Sequence, residues 1–288
     1  MHIRLIRVCT AFRVILAGLG LLLLAGCDSA QRGQQAHRIG LSSARIVHSA
    51  IASPNIASLS RVVRQNPDDS NAHNMRGAAF GQAGAYKRAL GDFDTALALN
   101  PRYYQAYSNR ALIYAKLGRT EAAFGDYNRS LLLAPRYHIA YLGRGMLHKS
   151  LKNYPLALAD FSQAIIVTGE DPIAYYQRGL IYQILGRHKL AVRDFNTAIA
   201  LRPDSDAPYF RRGLSRMAVN NYRGAYGDFN IVTRQRKSDY HAWTERGLAA
   251  EQLGHDSKAA YAFRRALAIQ QDHKPAQDGL QRVAAGNV

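Results

Sequence analysis

Apolar and small residues recur along this chain with a period of 34 residues, without insertion or deletion, between positions 70 and 273. Alanine occupies one place in all six copies, and an aromatic residue follows it four positions later. A period of this length predicts six copies of one supersecondary unit, which stack because no single copy can bury its own apolar face. The alanines are Ala89, Ala123, Ala157, Ala191, Ala225 and Ala259, and the aromatic residues are Phe93, Tyr127, Phe161, Phe195, Phe229 and Phe263.

Turn and breaker residues within each copy predict a first helix, a tight turn and a second helix. If Ser70 is position 1, position 8 is glycine or alanine, which lets the second helix approach closely at the invariant alanine of position 20. Proline stands at position 32 in three copies and ends the second helix there. Position 15 holds mostly residues that tolerate positive φ, and these are Gly84, Gly118, Lys152, Gly186, Asn220 and Gly254.

These positions resemble the tetratricopeptide repeat, which has aromatic residues at positions 4, 11 and 24, small residues at 8, 20 and 27, and proline at 32. The resemblance covers residues 70–273 and fails at position 11 of the last two repeats, which hold Arg216 and Ala250. It implies an all-α fold, a right-handed superhelical solenoid of six helix–turn–helix repeats. We expect a leading helix in residues 53–69 and a closing helix with a tail in residues 274–288, because a solenoid needs caps on its end faces.

Residues 1–26 have the features of a secretory signal peptide. Basic residues precede an apolar run of eleven residues, which is too short to cross a bilayer core of about 30 Å. The run ends in Leu-Ala-Gly followed by Cys27, a sequence that resembles the lipobox of bacterial lipoproteins. The resemblance implies that Cys27 carries a lipid anchor and that residues 27–52 form a flexible tether. An ordinary signal peptide, with Cys27 as an idle thiol, is the alternative.

Two charged positions recur with the same period. Position 7 is arginine in every repeat, and position 23 is aspartate in the first five repeats but Ala262 in the sixth. Because an unpaired buried charge is costly, this recurrence predicts ion pairs rather than a basic stripe for an anionic ligand. The pairs could form within a repeat, but we favour pairing of each aspartate with the arginine of the next repeat, such as Asp228 with Arg246. The charged residues are Arg76, Arg110, Arg144, Arg178, Arg212 and Arg246, with Asp92, Asp126, Asp160, Asp194 and Asp228.

Motifs that carry chemistry are missing from the sequence. There is no His-Glu-x-x-His, no glycine-rich phosphate loop and no cysteine pair with metal spacing. His148 and His188 stand at repeat positions where other repeats place tyrosine, so packing explains them better than metal binding. We therefore predict a protein that is not an enzyme and that needs no cofactor.

The first helices offer a candidate binding surface. In arrays of this family, positions 2, 5, 9, 12 and 13 line the concave groove. Repeats three to five place apolar residues there, whereas repeats one and two place polar or small ones. An apolar strip with a polar rim suits an amphipathic helix or an extended peptide, although tight curvature could instead bury it between repeats. The predicted partner-binding residues, named here the groove strip, are Ile139, Leu142, Met146, Ile173, Tyr176, Leu180, Phe210 and Leu214.

The charge of the chain bears on its partners. It has 38 basic and 20 acidic residues, a net charge of +18. Beside a lipid anchor, this charge favours contact with anionic lipid headgroups and attracts acidic partners. We expect no nucleic acid, because an exported and membrane-tethered chain rarely meets it.

Together, the lipobox and the repeats predict a membrane-anchored scaffold or adaptor of the bacterial cell envelope that faces the periplasm. Asp28 favours retention at the inner membrane, a rule that not all lineages follow. This architecture resembles that of envelope adaptor lipoproteins. The alternatives are an assembly factor for outer-membrane proteins, pili or polysaccharide export, and an anchoring subunit of an enzyme complex.

Overall fold

A computed structural model describes residues 56–285. This part of the chain forms fourteen α-helices and no strand, which confirms the predicted all-α repeat superhelix. The helices are α1 (Ile56–Gln65), α2 (Ser70–Gln82), α3 (Tyr86–Leu99), α4 (Tyr104–Lys116), α5 (Thr120–Leu133), α6 (His138–Ser150), α7 (Tyr154–Thr168), α8 (Pro172–Ile184), α9 (His188–Leu201), α10 (Asp206–Ala218), α11 (Tyr222–Gln235), α12 (Tyr240–Glu251), α13 (Asp256–Ile269) and α14 (Lys274–Ala285).

The turns between the two helices of each repeat have the backbone conformation that the sequence predicts. Position 15 has a positive φ in all six repeats, between 59° and 77°. Four of the six residues are glycine, which adopts this conformation without strain, whereas Lys152 and Asn220 adopt it with a side chain.

The core contains one fully buried aromatic ring per repeat, held between helices that approach closely. Phe161 and Ala157 in the second helix of repeat three are both fully buried. A Cβ atom built on Gly145 in the first helix would lie only 2.9 Å from the ring of Phe161. Glycine at this position therefore lets the ring pack directly on the backbone of the first helix. Gly247 has the same relation to Phe263 in repeat six, at 2.5 Å.

The repeats stack in a way that gives the superhelix two different sides. Each first helix packs against its own second helix and also contacts the first helix of the next repeat. Successive second helices make no comparable contact within residues 56–285. The first helices therefore form the inner layer of the curved stack. Helix α1 packs against α2, and α14 packs against α12 and α13 at the other end.

Candidate functional site

The groove strip lies on the inner layer of first helices, and its residues differ in how deeply they are buried. Leu142 and Met146 are buried, at 6% and 3% exposure, whereas the six other residues are partly buried. None of the eight is fully exposed. Burial between repeats, the alternative that the sequence left open, therefore applies to Leu142 and Met146. The remaining residues keep some surface for a partner, and Ile184 beside them is 57% exposed.

The aromatic members of the groove strip also rest on the core. The ring of Tyr176 lies 5.9 Å from that of Phe195, and the ring of Phe210 lies 5.7 Å from that of Phe229. Leu214 packs in the same cluster as Phe210. One face of each ring therefore packs against the core of its own repeat, and the other face lies at the surface of the inner layer. The role of the strip in partner binding stays a prediction.

Polar side chains join neighbouring first helices beside the strip. Lys149 of α6 donates from Nζ to Oε1 of Gln177 on α8, at 2.5 Å. Burial, with Arg211 nearby, lowers the pKa of Lys149 to about 8. Gln183 of α8 donates to the Oγ of Ser215 on α10, at 3.1 Å. These contacts were missed at the sequence level because they do not recur with the period of 34.

Two charged groups of the inner layer lie at the same repeat position. Arg211 on α10 is exposed, and Glu245 on α12 is partly buried. Burial raises the pKa of the Glu245 carboxyl, and no ion pair forms between it and any residue of the range 56–285. The inner layer thus offers a basic group and an acidic group, one repeat apart, to the polar parts of a partner.

The recurrent arginines and aspartates pair within the same repeat in repeats one to five, so the predicted pairing between consecutive repeats is wrong. In repeat two, Arg110 donates from Nε and Nη2 to the two carboxylate oxygens of Asp126, at 2.7 and 2.9 Å. Position 7 and position 23 face each other across the two helices of one repeat, which the spacing alone could not decide. The same paired contact joins Arg76 to Asp92, Arg144 to Asp160, Arg178 to Asp194, and Arg212 to Asp228.

The arginines also bind the preceding repeat, and there they contact a residue at a different repeat position. The third guanidinium nitrogen of the arginine, Nη1, reaches position 25 of the preceding repeat. Arg110 donates to Asp94 at 2.6 Å, and Arg144 donates to Asn128 at 2.6 Å. Arg178 and Arg212 do the same with Ser162 and Asn196. Each of these four arginines therefore joins the two helices of its own repeat and also binds the preceding repeat. Polar residues at position 25 were the signal that sequence reasoning missed.

Repeat six lacks the aspartate, and its arginine finds other contacts. Arg246 donates to the hydroxyl of Tyr226 at 3.1 Å and lies 5.1 Å from the centre of the Trp243 ring. Its Nε is buried without a hydrogen-bond partner. The predicted ion pair of Arg246 with Asp228 is absent, because Asp228 already binds Arg212 and Arg216.

Several sequence predictions lie outside the described residues. The signal peptide, Cys27 and residues 27–52 all precede position 56. Within residues 56–285, no group of three or more histidine, cysteine or acidic side chains could hold a metal ion. No helix of the described part is long and apolar enough to cross a membrane.

Family comparisons agree with the repeat pattern. Two family models, both described as tetratricopeptide repeat, match the chain. One matches residues 172–205, and the other matches residues 75–138 and 210–274. The matched segments together span more than half of the chain. No curated protein sequence matches the chain significantly.

Solved structures resemble the chain in fold. YrrB, described as a TPR protein with an unusual peptide-binding site, is 24% identical, with a TM-score of 0.60 over 66% of this chain and 97% of its own. PilW, described as a widely conserved type IV pilus biogenesis factor, is 19% identical, with a TM-score of 0.59 over 75% and 98%. A chain of the APC/C hetero-tetramer Cut9–Hcn1 is 20% identical, with a TM-score of 0.61 over 80% of this chain but only 46% of its own length.

Proposed function

Because the chain belongs to the tetratricopeptide repeat family, we propose that it is a non-enzymatic scaffold that holds a protein or peptide partner against its inner layer. The observation that carries this proposal is the inner layer itself. It combines partly buried apolar residues, the exposed Ile184, and the charged groups Arg211 and Glu245. Apolar anchors with a few charged groups around them are what a peptide groove requires.

The proposal extends to the location of the scaffold. The lipobox-like sequence at Cys27 supports attachment to a membrane of the bacterial cell envelope, with the repeats in the periplasm. There the scaffold holds its partner close to the membrane. A role as assembly factor is the second form of this proposal, since PilW is described as a pilus biogenesis factor. At 19% identity, that likeness shows the fold alone and does not identify the assembled machine.

The groove is tested with substitutions of exposed residues, which leave the core intact. Ile184→Glu and Arg211→Glu change the inner layer, and Ile166→Glu changes a residue of the second helix α7 that is 73% exposed. Each variant is cross-linked in cells, extracted from membranes and analysed by quantitative mass spectrometry. A true groove partner is retained by the wild type and by Ile166→Glu but lost with both inner-layer variants. Equal retention by all four proteins would remove the inner layer as the binding site.

The anchor is tested separately through Cys27. A fatty-acid analogue that can be detected after labelling in cells should attach to the wild type and not to Cys27→Ser. The serine variant should also move from the membrane fraction to the soluble fraction. Undiminished labelling of Cys27→Ser would refute the anchor but would leave the scaffold proposal intact, because the groove experiment does not depend on lipid.

A further inference from the structure

A cavity of about 420 Å³ opens between repeats two and three, away from the groove strip. Its volume lies in the lower part of the roughly 300–1,000 Å³ range of small-molecule pockets. None of the eight residues of the groove strip lines it. Its walls come from α5, α6 and α7, and the lining residues are Phe124, Asn128, Arg144, His148, Leu156, Ala159 and Asp160.

At the cavity, repeat three lacks a contact between the position 7 arginine and an aromatic ring at position 11 that repeats one, two and four make. In repeat two, the guanidinium of Arg110 lies between two tyrosine rings, 5.7 Å from the centre of Tyr107 and 5.7 Å from that of Tyr114. Repeat four has the same arrangement around Arg178, with Tyr175 at 5.8 Å and Tyr182 at 5.9 Å. An aromatic ring at position 11 thus covers one side of the arginine in the repeats on both sides of repeat three.

Repeat three provides only one of the two rings. Arg144 lies 5.7 Å from the ring of Tyr141, but position 11 is His148. The smaller imidazole ring is turned towards Phe124, with 4.6 Å between the ring centres. The side of Arg144 that a tyrosine covers in the neighbouring repeats therefore borders the cavity.

The remaining walls match an aromatic ring that carries a hydroxyl group. Phe124, Leu156 and Ala159 offer apolar surface for the ring. Asn128, which also lines the cavity, accepts from Arg144 through its Oδ1, so its amide N–H groups remain available as donors. Burial lowers the pKa of His148, and Arg144 adds to this effect against the opposing influence of Asp160. A neutral imidazole can accept a hydrogen bond from a phenol.

We propose that this cavity is a second binding site, which accepts a tyrosine side chain of a partner protein between Arg144, His148 and Phe124. The incoming ring takes the place that Tyr114 and Tyr182 occupy in the adjacent repeats. It completes the stacking on Arg144, an interaction that aromatic rings and guanidinium groups favour. The site is independent of the groove proposed above, and it marks repeats two and three as a contact region for a partner segment that contains tyrosine.

The test uses N-acetyl-tyrosinamide as an uncharged probe and the full chain as the protein. NMR signals of the His148 ring should shift in a saturable way, with a dissociation constant on the order of 1 mM for a ligand of this size. His148→Tyr supplies the missing ring from within and should weaken binding at least tenfold; because this variant lacks the His148 ring, its binding is followed through the NMR signals of the probe itself. N-acetyl-leucinamide, which lacks the ring, should bind at least tenfold more weakly than the tyrosine probe.

A second variant tests whether a loss of binding comes from a blocked cavity or from a disturbed fold. Leu156 is 48% exposed, so Leu156→Trp narrows the cavity from its rim without entering the core. This variant should also lose binding while its thermal unfolding matches that of the wild type. The proposal is overturned if no saturable shift occurs with the wild type, if the leucine probe binds as well as the tyrosine probe, or if both variants bind like the wild type.

Discussion

Arg144 donates two parallel hydrogen bonds to Asp160 of the same repeat, from Nε at 3.0 Å and from Nη2 at 2.7 Å. The Asp160 side chain is only 6% exposed, and that of Arg144 is 24% exposed. Because a buried charge without a compensating partner is strongly unfavourable, the buried carboxylate of Asp160 needs the guanidinium of Arg144. The pair therefore ties the two helices of repeat three together, while the Nη1 of Arg144 reaches Asn128 of repeat two.

Substitution of Asp160 should leave Arg144 without its carboxylate partner. We expect Asp160→Ala to lower the free energy of unfolding by about 3 kcal/mol, the lower end of the range for broken buried pairs, because Arg144 keeps access to water. Urea unfolding followed by circular dichroism measures the change. The double variant Asp160→Leu with Arg144→Met removes both charges and should recover most of the loss. A single variant as stable as the wild type would contradict a structural role of the pair.

Arg246 offers a matched comparison for the arginine side of the pairs. Arg144→Met leaves the buried Asp160 without its arginine partner, with only His148 nearby at 3.9 Å, and should cost about 3 kcal/mol. Arg246 faces no aspartate, so Arg246→Met removes only its neutral contacts with Tyr226, Thr233 and Trp243 and should cost about 1 kcal/mol. Chemical denaturation under identical conditions shows which of the two variants loses more free energy of unfolding. Equal costs would show that the carboxylate pairing contributes little.

The regular features of the fold could be predicted from the sequence because each repeat adds the same contacts. Gly145 below Phe161 and Lys152 at positive φ follow from positions that recur in all six copies. The pairing of Asp160 could not be predicted in the same way. Within one period, Arg144 and Arg178 are both candidate partners, and only the packing of the two helices decides between them. Lys149 and Gln177 had no recurring signal at all.

The two helices of repeat six approach closely at Gly247, so the stability of the fold should depend on the size of the residue at this position. Gly247→Ala would bring a methyl group within 2.5 Å of the buried Phe263 ring, so we expect a loss of about 1–3 kcal/mol from overpacking. Gly91 in α3 is exposed and has no atom within 4 Å of an added Cβ. Gly91→Ala should therefore raise stability by up to about 1 kcal/mol through helix propensity. Thermal melts of both variants test this contrast, and a Gly247→Ala variant as stable as the wild type would argue against the assigned helix contact.

Lys149 predicts how stability depends on pH. Its pKa falls from the ordinary value near 10.4 to about 8 in the folded protein, because burial and Arg211 disfavour its charge. Between these values the unfolded chain binds more protons than the folded one, so this lysine makes stability rise with pH from about 8 to about 10. Lys149→Met should flatten that rise, whereas Lys189→Met at an exposed site should not. Denaturation at pH 7.5 and pH 9.5 compares the slopes, and identical slopes for all three proteins would refute the shift.

The aromatic residues of the groove strip should affect both stability and binding. Phe210 packs its ring 5.7 Å from Phe229, so Phe210→Ala removes a partly buried ring and should cost about 2–3 kcal/mol. Ile184 is 57% exposed, and Ile184→Ala should cost less than about 0.5 kcal/mol. If the strip holds a partner, Ile184→Ala should still weaken binding, because burial of its exposed surface occurs only in the complex. Urea denaturation and titration with the captured partner separate the two effects. A stable Phe210→Ala variant with full affinity would show that neither the core contact nor the groove depends on this ring.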